Sequence, residues 1–292
     1  MYVKILGVFV ENNEAEALSL KLKNTRILAK NIRINAVNMV NSGGSSHIGS
    51  ILSIADILAV LYECVLHYDS KYPNLKNRDR FLLSKGHAGA GVYAVLAEKN
   101  FFPKANLKMH YKDGSKLSGH VSHKDIPGVE ISTGSLGHGL PIATGMALSA
   151  KINNESHRII VLMSDGECDE GSNWESALFA SHHNLKNLTI IIDRNNLQSI
   201  KTTEETLKLE PFKQKWDSFG WNVSEVDGHN HSELLNIINY DNNNDKPNCI
   251  IAKTTKGKGV SFMENSVLWH YRTPQNNEFK EALLELENIS EK

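Results

Sequence analysis

Two apolar runs with polar ends constrain this chain most. RIIVLM at residues 158–163 runs into Ser164-Asp165-Gly166, and LTIII at residues 188–192 runs into Asp193-Arg194-Asn195-Asn196. Between them lies a helical pattern, so the stretch reads as strand, turn, helix and parallel strand. Both polar clusters then stand at the carboxyl ends of neighbouring strands, the edge where open parallel sheets bind ligands. Ser172 with Glu175 three residues on reads as a capping box opening the intervening helix. The fold class that follows is α/β: an open, mostly parallel sheet with helices on both faces.

The rest of the chain extends the pattern. Helical spacing runs from about Ser19 to Asn41 and stops at Gly43-Gly44. A second apolar helix starts near Ser53, and FLLS at 81–84 is a strand that enters a helix through Gly86-His87. Further strands are expected at 220–228 and 248–254. Between them HSELLNIINY is a helix with Ser232 as its cap, followed by a polar loop, DNNND, at 241–245. FKEALLELE closes the chain as an amphipathic helix. Residues 1–20 are read as an amino-terminal extension and 21–292 as a single domain.

Composition narrows the function classes. At 292 residues, 40% hydrophobic and 22% charged, the chain has globular proportions, and a formal net charge of -1 argues against nucleic acid or a membrane surface as partner. Cys64, Cys168 and Cys249 are far apart and form no C-x-x-C, so neither a disulfide framework nor a zinc ribbon is supported, and a reducing cytoplasm is the expected compartment. The first ten residues are apolar but lack a convincing signal-peptide cleavage site, and no stretch approaches a membrane span.

At the sheet edge the sequence places hard oxygen donors: the Asp165 carboxylate, the Asn195 amide and a backbone carbonyl just beyond it. Such a set suits Mg²⁺, which takes a few protein oxygens and completes its octahedron with phosphate and water, so a metal-bridged diphosphate is inferred. Singly, Asp-Gly or Asn-Asn is usually only a turn or a cap. Three histidines join them at loop positions: His47 before a helix, His87 at a strand end, and His120 opening a loop toward TGSLGHGLPIATGMAL. Gly134, Gly137 and Gly139 in that loop require close backbone approach, either to a packed helix or to a cofactor.

Taken together, the loop with His47, RDRFLLSKGHA with His87, GHVSHKDIPGVEISTGSLGHG with His120, SDGECDEGSNWE and IIDRNNL resemble, in order, the amino-terminal, diphosphate-binding part of transketolase. The resemblance covers residues 23–284. It implies that Asp165, Asn195 and the Leu197 carbonyl hold Mg²⁺ (or Ca²⁺) against thiamine diphosphate. His47, His87 and His120 match histidines near the diphosphate and the donor sugar, and Gly134 and Leu136 match positions lining the aminopyrimidine. Gly166 and Glu167 belong to the same diphosphate motif, Glu170 matches a carboxylate linking two active sites, and His270 matches a late histidine reaching the diphosphate. Ser164 replaces the motif's first glycine, His138 stands where glutamine is usual, and Tyr271-Arg272 follow where a glycine is common.

The resemblance further implies transfer of a two-carbon ketol unit from a ketose, or ketose phosphate, to an aldose. The pyrimidine-binding domain and its activating glutamate are expected on a separate carboxy-terminal subunit, in an α₂β₂ assembly. The alternatives are another thiamine diphosphate enzyme subunit (1-deoxyxylulose-5-phosphate synthase-like, or a keto-acid dehydrogenase α chain) and a non-catalytic structural subunit. By contrast, a nucleotide enzyme is disfavoured because no G-x-G-x-x-G follows a strand, and zinc binding by His182-His183 or by His229 and His231 lacks further ligands at finger spacing. Lys256-Gly-Lys-Gly is open between a phosphate contact and a flexible connector to His270.

Overall fold

The runs rich in Ile, Leu and Val become five strands in a computed structural model that describes residues 2–239 and 244–290, with residues 2–15 described as backbone only. They are β1 (Arg80–Leu83), β2 (Ile159–Ser164), β3 (Leu188–Arg194), β4 (Asn222–Asp227) and β5 (Asn248–Lys253). Their order is β1-β2-β3-β5-β4 and every neighbouring pair is parallel. Ser164 pairs with Asp193 in register, which sets Asp165 beside the end of β3.

Strand side chains alternate between two cores, as the two-residue pleat requires. Ile160, Leu162, Ile191 and Ile250 face one layer, built by α1 (Tyr2–Gly43), α3 (Ala55–Val60), α4 (Gly89–Glu98) and α9 (His231–Ile238). Val161, Met163, Ile190 and Ile251 face the other, built by α5 (Gly139–Ile152), α6 (Gly171–His182) and α8 (Phe212–Ser218). Trp216 and Phe212 close this second core, and α10 (Asn276–Glu287) packs on the first through Ala282 and Leu286. Among the described residues no helix is long and apolar enough to cross a membrane.

Local details differ from the sequence expectations for identifiable reasons. The helix expected from about Ser19 to Asn41 is the later part of α1, which begins at Tyr2, so residues 2–20 prolong it. The helix placed near Ser53 is two pieces, α2 (Ile48–Leu52) and α3, separated at Ser53 and Ile54. The Ser172–Glu175 capping box does not form, because the Ser172 hydroxyl donates to the Gly137 carbonyl at 2.6 Å and Glu170 takes the N-cap position. A capping box does form at Thr202 and Glu205, opening the short α7 (Thr203–Thr206). Asn230 rather than Ser232 caps α9, accepting from the backbone of Ser232 and Glu233. Residues 241–243 of the DNNND loop lie outside the described residues.

Candidate active site

Four loops at the carboxyl edge of the sheet are joined in two pairs by hydrogen bonds to backbone carbonyls. The His47 N–H donates to the His270 carbonyl at 2.8 Å and Gly257 N–H to the Gly49 carbonyl at 2.9 Å, joining the entry to α2 to the segment after β5. The loop after β1 is held against the 120–133 loop by Val121 N–H to the Gly86 carbonyl (2.9 Å) and the Thr133 hydroxyl to the Leu83 carbonyl (2.6 Å). Four imidazoles thereby meet. His47 lies 5.1 Å from His87, 5.6 Å from His120 and 5.0 Å from His270 between ring centroids. His47 has φ 72°, a left-handed conformation that a β-carbon disfavours, so local strain is retained where the rings converge.

Beside them is a cavity of about 200 Å³ whose lining includes Asp165, Asn195, Leu197, Lys256, His87 and His270. Asp165 is buried, and its two oxygens accept from Gly166 N–H (2.8 Å) and Asn196 N–H (2.7 Å). Asn195 is fixed from both ends: its amide nitrogen donates to Asp193 at 2.9 Å and its oxygen accepts from Leu197 N–H at 3.1 Å. Each oxygen keeps acceptor capacity, because a carboxylate has about four lone-pair sites and an amide or carbonyl oxygen two. Burial, with Asp193 nearby, pushes the Asp165 carboxyl up to about 6 despite Arg194 at 3.4 Å. A divalent cation at this carboxylate would relieve that desolvation. The donor set of carboxylate, amide and carbonyl therefore fits Mg²⁺ or Ca²⁺.

Two lysines supply positive charge under the cavity. Lys85 is fully buried and pairs with Asp193 at 2.5 Å, and Asp193 also accepts from Ser53 (2.7 Å) and Thr254. The Lys256 ammonium donates to the Leu197 carbonyl (3.1 Å) and the Gln198 carbonyl (3.0 Å) and lies 3.0 Å from His270 Nδ1. Burial and Lys85 lower it to about 8. Burial also lowers the histidines, with help from these lysines and from one another: His47 to about 4, His270 to about 3, and His87 well below the ordinary range. Near neutral pH the three rings are uncharged, each with one N–H to donate and one nitrogen to accept, and the Lys256 ammonium, together with a cation at Asp165, suits an anionic diphosphate.

The expected residues fall into three groups. Asp165, Gly166, Asn195, Leu197, Leu136, His87 and His270 line the cavity, while His47 and His120 meet it through the imidazole cluster. Glu167 is buried beneath, accepting from the Ser84 hydroxyl at 2.5 Å and Gly137 N–H at 3.0 Å, and so ties three loops together. Glu170 is exposed at the start of α6.

The glycines separate as well. A β-carbon at Gly139 would meet Ser84 Oγ at 2.2 Å and one at Gly137 (φ +81°) would meet Glu170 Cβ at 2.6 Å, so these two serve packing. At Gly134 it would meet nothing closer than His120 at 3.5 Å. Sequence reasoning missed Lys85 and Asp193 and left Lys256 between two readings. The Lys256 segment is a site wall rather than a loose connector. The available signal was adjacency: Lys85 precedes Gly86-His87, and Asp193 ends the apolar run that carries Asn195.

Residues 24–284 match the family described as transketolase, thiamine diphosphate binding domain. The chain is 42% identical to the first of the apulose-4-phosphate transketolase subunits of Actinobacillus succinogenes, covering 92% of this chain and 96% of that one. It is 37% identical to the 6-deoxy-6-sulfo-D-fructose transketolase subunit SqwG of a Clostridium species, covering 88% and 94%. Among solved structures it superposes on transketolase from Campylobacter jejuni with a TM-score of 0.84 and 32% identity, spanning 94% of this chain but 44% of that one. It thus matches subunit-length relatives nearly end to end and spans less than half of the full-length transketolase. The chain therefore belongs to the transketolase family, as an amino-terminal, thiamine diphosphate-binding subunit.

Proposed function

We propose that this chain is the diphosphate-binding half of a two-subunit transketolase that uses thiamine diphosphate with Mg²⁺ or Ca²⁺ and moves a two-carbon ketol unit between a ketose phosphate and an aldose phosphate. The observation that carries this is one cavity lined at once by Asp165, Asn195 and Leu197 and by Lys256, His87 and His270. The cofactor, when bound, supplies the carbanion chemistry that opens the bond next to a ketose carbonyl.

The chain's own residues then have separable tasks. Asp165, Asn195 and the Leu197 carbonyl hold the cation, Lys256 and His270 stabilise the diphosphate charge, and Leu136 and Gly134 give the ring a close-fitting wall. His47, His87 and His120 donate to sugar oxygens and hold protons there, as imidazoles can. Lys85 acts through Asp193 to fix the Asn195 amide, so it is a positioning residue. Glu170, exposed beside Gly137, is proposed to meet the partner and to connect the active sites of an α₂β₂ assembly, and residues 21–292 are proposed to form the diphosphate-binding domain behind a short extension. The three unpaired cysteines fit a cytoplasmic setting.

The test is reconstitution. The chain is mixed with a second protein carrying the pyrimidine-binding domain and assayed for ketol transfer from ketose phosphates, with each component on its own as control. Activity only in the mixture supports the proposal. Turnover by this chain without the other, or a stable complex that binds cofactor but transfers nothing, contradicts it.

A further inference from the structure

Arg194 ends β3 one residue before Asn195, and it puts a positive charge beside the carboxylate that is proposed to hold a cation. It is 6% exposed and lies over the Phe212 ring at 5.3 Å. A buried guanidinium needs acceptors, and this one has four. Nη1 donates to the Thr203 hydroxyl at 2.7 Å and reaches Asp165 Oδ2 at 3.4 Å, while Nη2 donates to Glu210 at 2.9 Å and Glu204 at 3.2 Å.

The four contacts are unequal. Those to Thr203, Glu210 and Glu204 are of ordinary length, whereas that to Asp165 is longer than a normal N–H···O bond. Asp165 does not depend on it for orientation, since Gly166 N–H and Asn196 N–H each hold one of its oxygens. The glutamates are fixed independently too. Glu204 accepts from Leu209 N–H at 3.2 Å and Glu210 from Phe212 N–H at 2.8 Å, and their side chains are 38% and 58% exposed, so both keep their charge in water without the arginine.

The geometry has an electrostatic consequence. A guanidinium next to Asp165 repels a dication bound at the same carboxylate, and more strongly where water is excluded. Two carboxylates on the other side of the guanidinium draw it outward and offset its charge. Thr203 ties this arrangement to the cation loop, because its hydroxyl accepts from Arg194 while its N–H donates to the Asn196 carbonyl at 3.0 Å.

We propose that Glu204 and Glu210 raise the cation affinity of the Asp165 site by holding Arg194 off Asp165 and neutralising it. All three act through Asp165 and are positioning residues. The inference rests on Asp165 holding the cation.

The experiment is titration of the full chain with Mn²⁺, followed by electron paramagnetic resonance. Glu204→Gln with Glu210→Gln, at half-exposed positions where folding is retained, should weaken Mn²⁺ roughly fivefold, the upper range for ion pairs open to solvent. Glu16→Gln with Glu281→Gln, which removes the same two charges from exposed positions on α1 and α10, should leave it within about twofold. Arg194→Met should tighten Mn²⁺, on the order of tenfold, and in that background the two glutamate changes should shift it by less than about twofold. A merely structural role would not produce tightening or this dependence on Arg194. Unchanged affinity in E204Q/E210Q, weaker binding in R194M, or an equal glutamate effect with and without Arg194 overturns the inference while leaving the cation site in place. No Mn²⁺ binding by the wild type, or binding that Asp165→Ala retains, removes the cation site and the inference with it.

Discussion

The diphosphate cavity has two sides that are built differently. The Asp165 side, proposed to hold the cation, comes from one contiguous unit running from β2 to just past β3, where the register sets Asp165 beside the end of β3 and three backbone N–H groups fix the Asp165 and Asn195 oxygens. The histidine side is assembled from four loops separated by up to 223 residues, and its rings are held by a few inter-loop bonds and by burial. A local motif can therefore be precise by its own hydrogen bonding, whereas the distant histidines depend on the whole fold. Damage to the first should be chemical and local. Damage to the second should also be a matter of stability.

The largest expected effect is on the cation side. Asp165→Ala should weaken Mn²⁺ binding, followed by electron paramagnetic resonance, by on the order of 100-fold or more while leaving the melting temperature near wild type, since it also removes a buried carboxylate whose ionisation is costly. Unchanged affinity would move the metal elsewhere.

Lys85→Met tests the support beneath both sides. It strands the buried Asp193 carboxylate, and loss of one partner of a buried pair typically costs about 3–5 kcal/mol. Denaturant unfolding should show that loss, and a change below about 1 kcal/mol would mean that Asp193 protonates or is satisfied without the lysine.

The two sides should respond oppositely to pH. The imidazoles of His47 and His270 are lowered on folding, so the stability they contribute is present above their ordinary value near 6.5 and is lost as pH falls toward about 4 and about 3. Asp165 is raised, so its contribution is present below its ordinary value and is lost as pH rises through about 6. Three depressed histidines, His87 included, outweigh one raised carboxyl. The unfolding midpoint should therefore drop between pH 7 and pH 5, and His47→Asn with His270→Asn should flatten the drop. A midpoint that rises on acidification would give the cation side control instead.

A smaller effect is expected at the seam. Ser172→Ala removes the bond to the Gly137 carbonyl that keeps the glycine-rich loop against α6, at a cost of about 1 kcal/mol. No change in stability would show that packing of Gly137 on Glu170 suffices.

The same division explains what the sequence disclosed. The parallel sheet and the Asp165–Asn195 pair are legible because both follow from short-range pattern: apolar runs, a turn and a register. The histidines stood out by loop position but gained a shared place only through resemblance, since no spacing rule links residue 47 to residue 270. Lys85 and Lys256 were illegible for a physical reason: buried lysines break the rule that such residues stay in water, and their tertiary partners explain why they do not, Asp193 and the Ser50 carbonyl for Lys85, and the Leu197 and Gln198 carbonyls with His270 for Lys256. Caps failed similarly, because the Ser172 hydroxyl has a tertiary partner that outcompetes the local one.

The measurement that tests the central claim most directly is calorimetric titration of thiamine diphosphate into this chain together with its partner, with Mg²⁺ and again with a chelator. If the two sides form one cofactor site, binding requires the cation in wild type and is lost in both Asp165→Ala and His270→Ala. Binding of equal strength in chelator, or binding that both variants retain, would contradict the account.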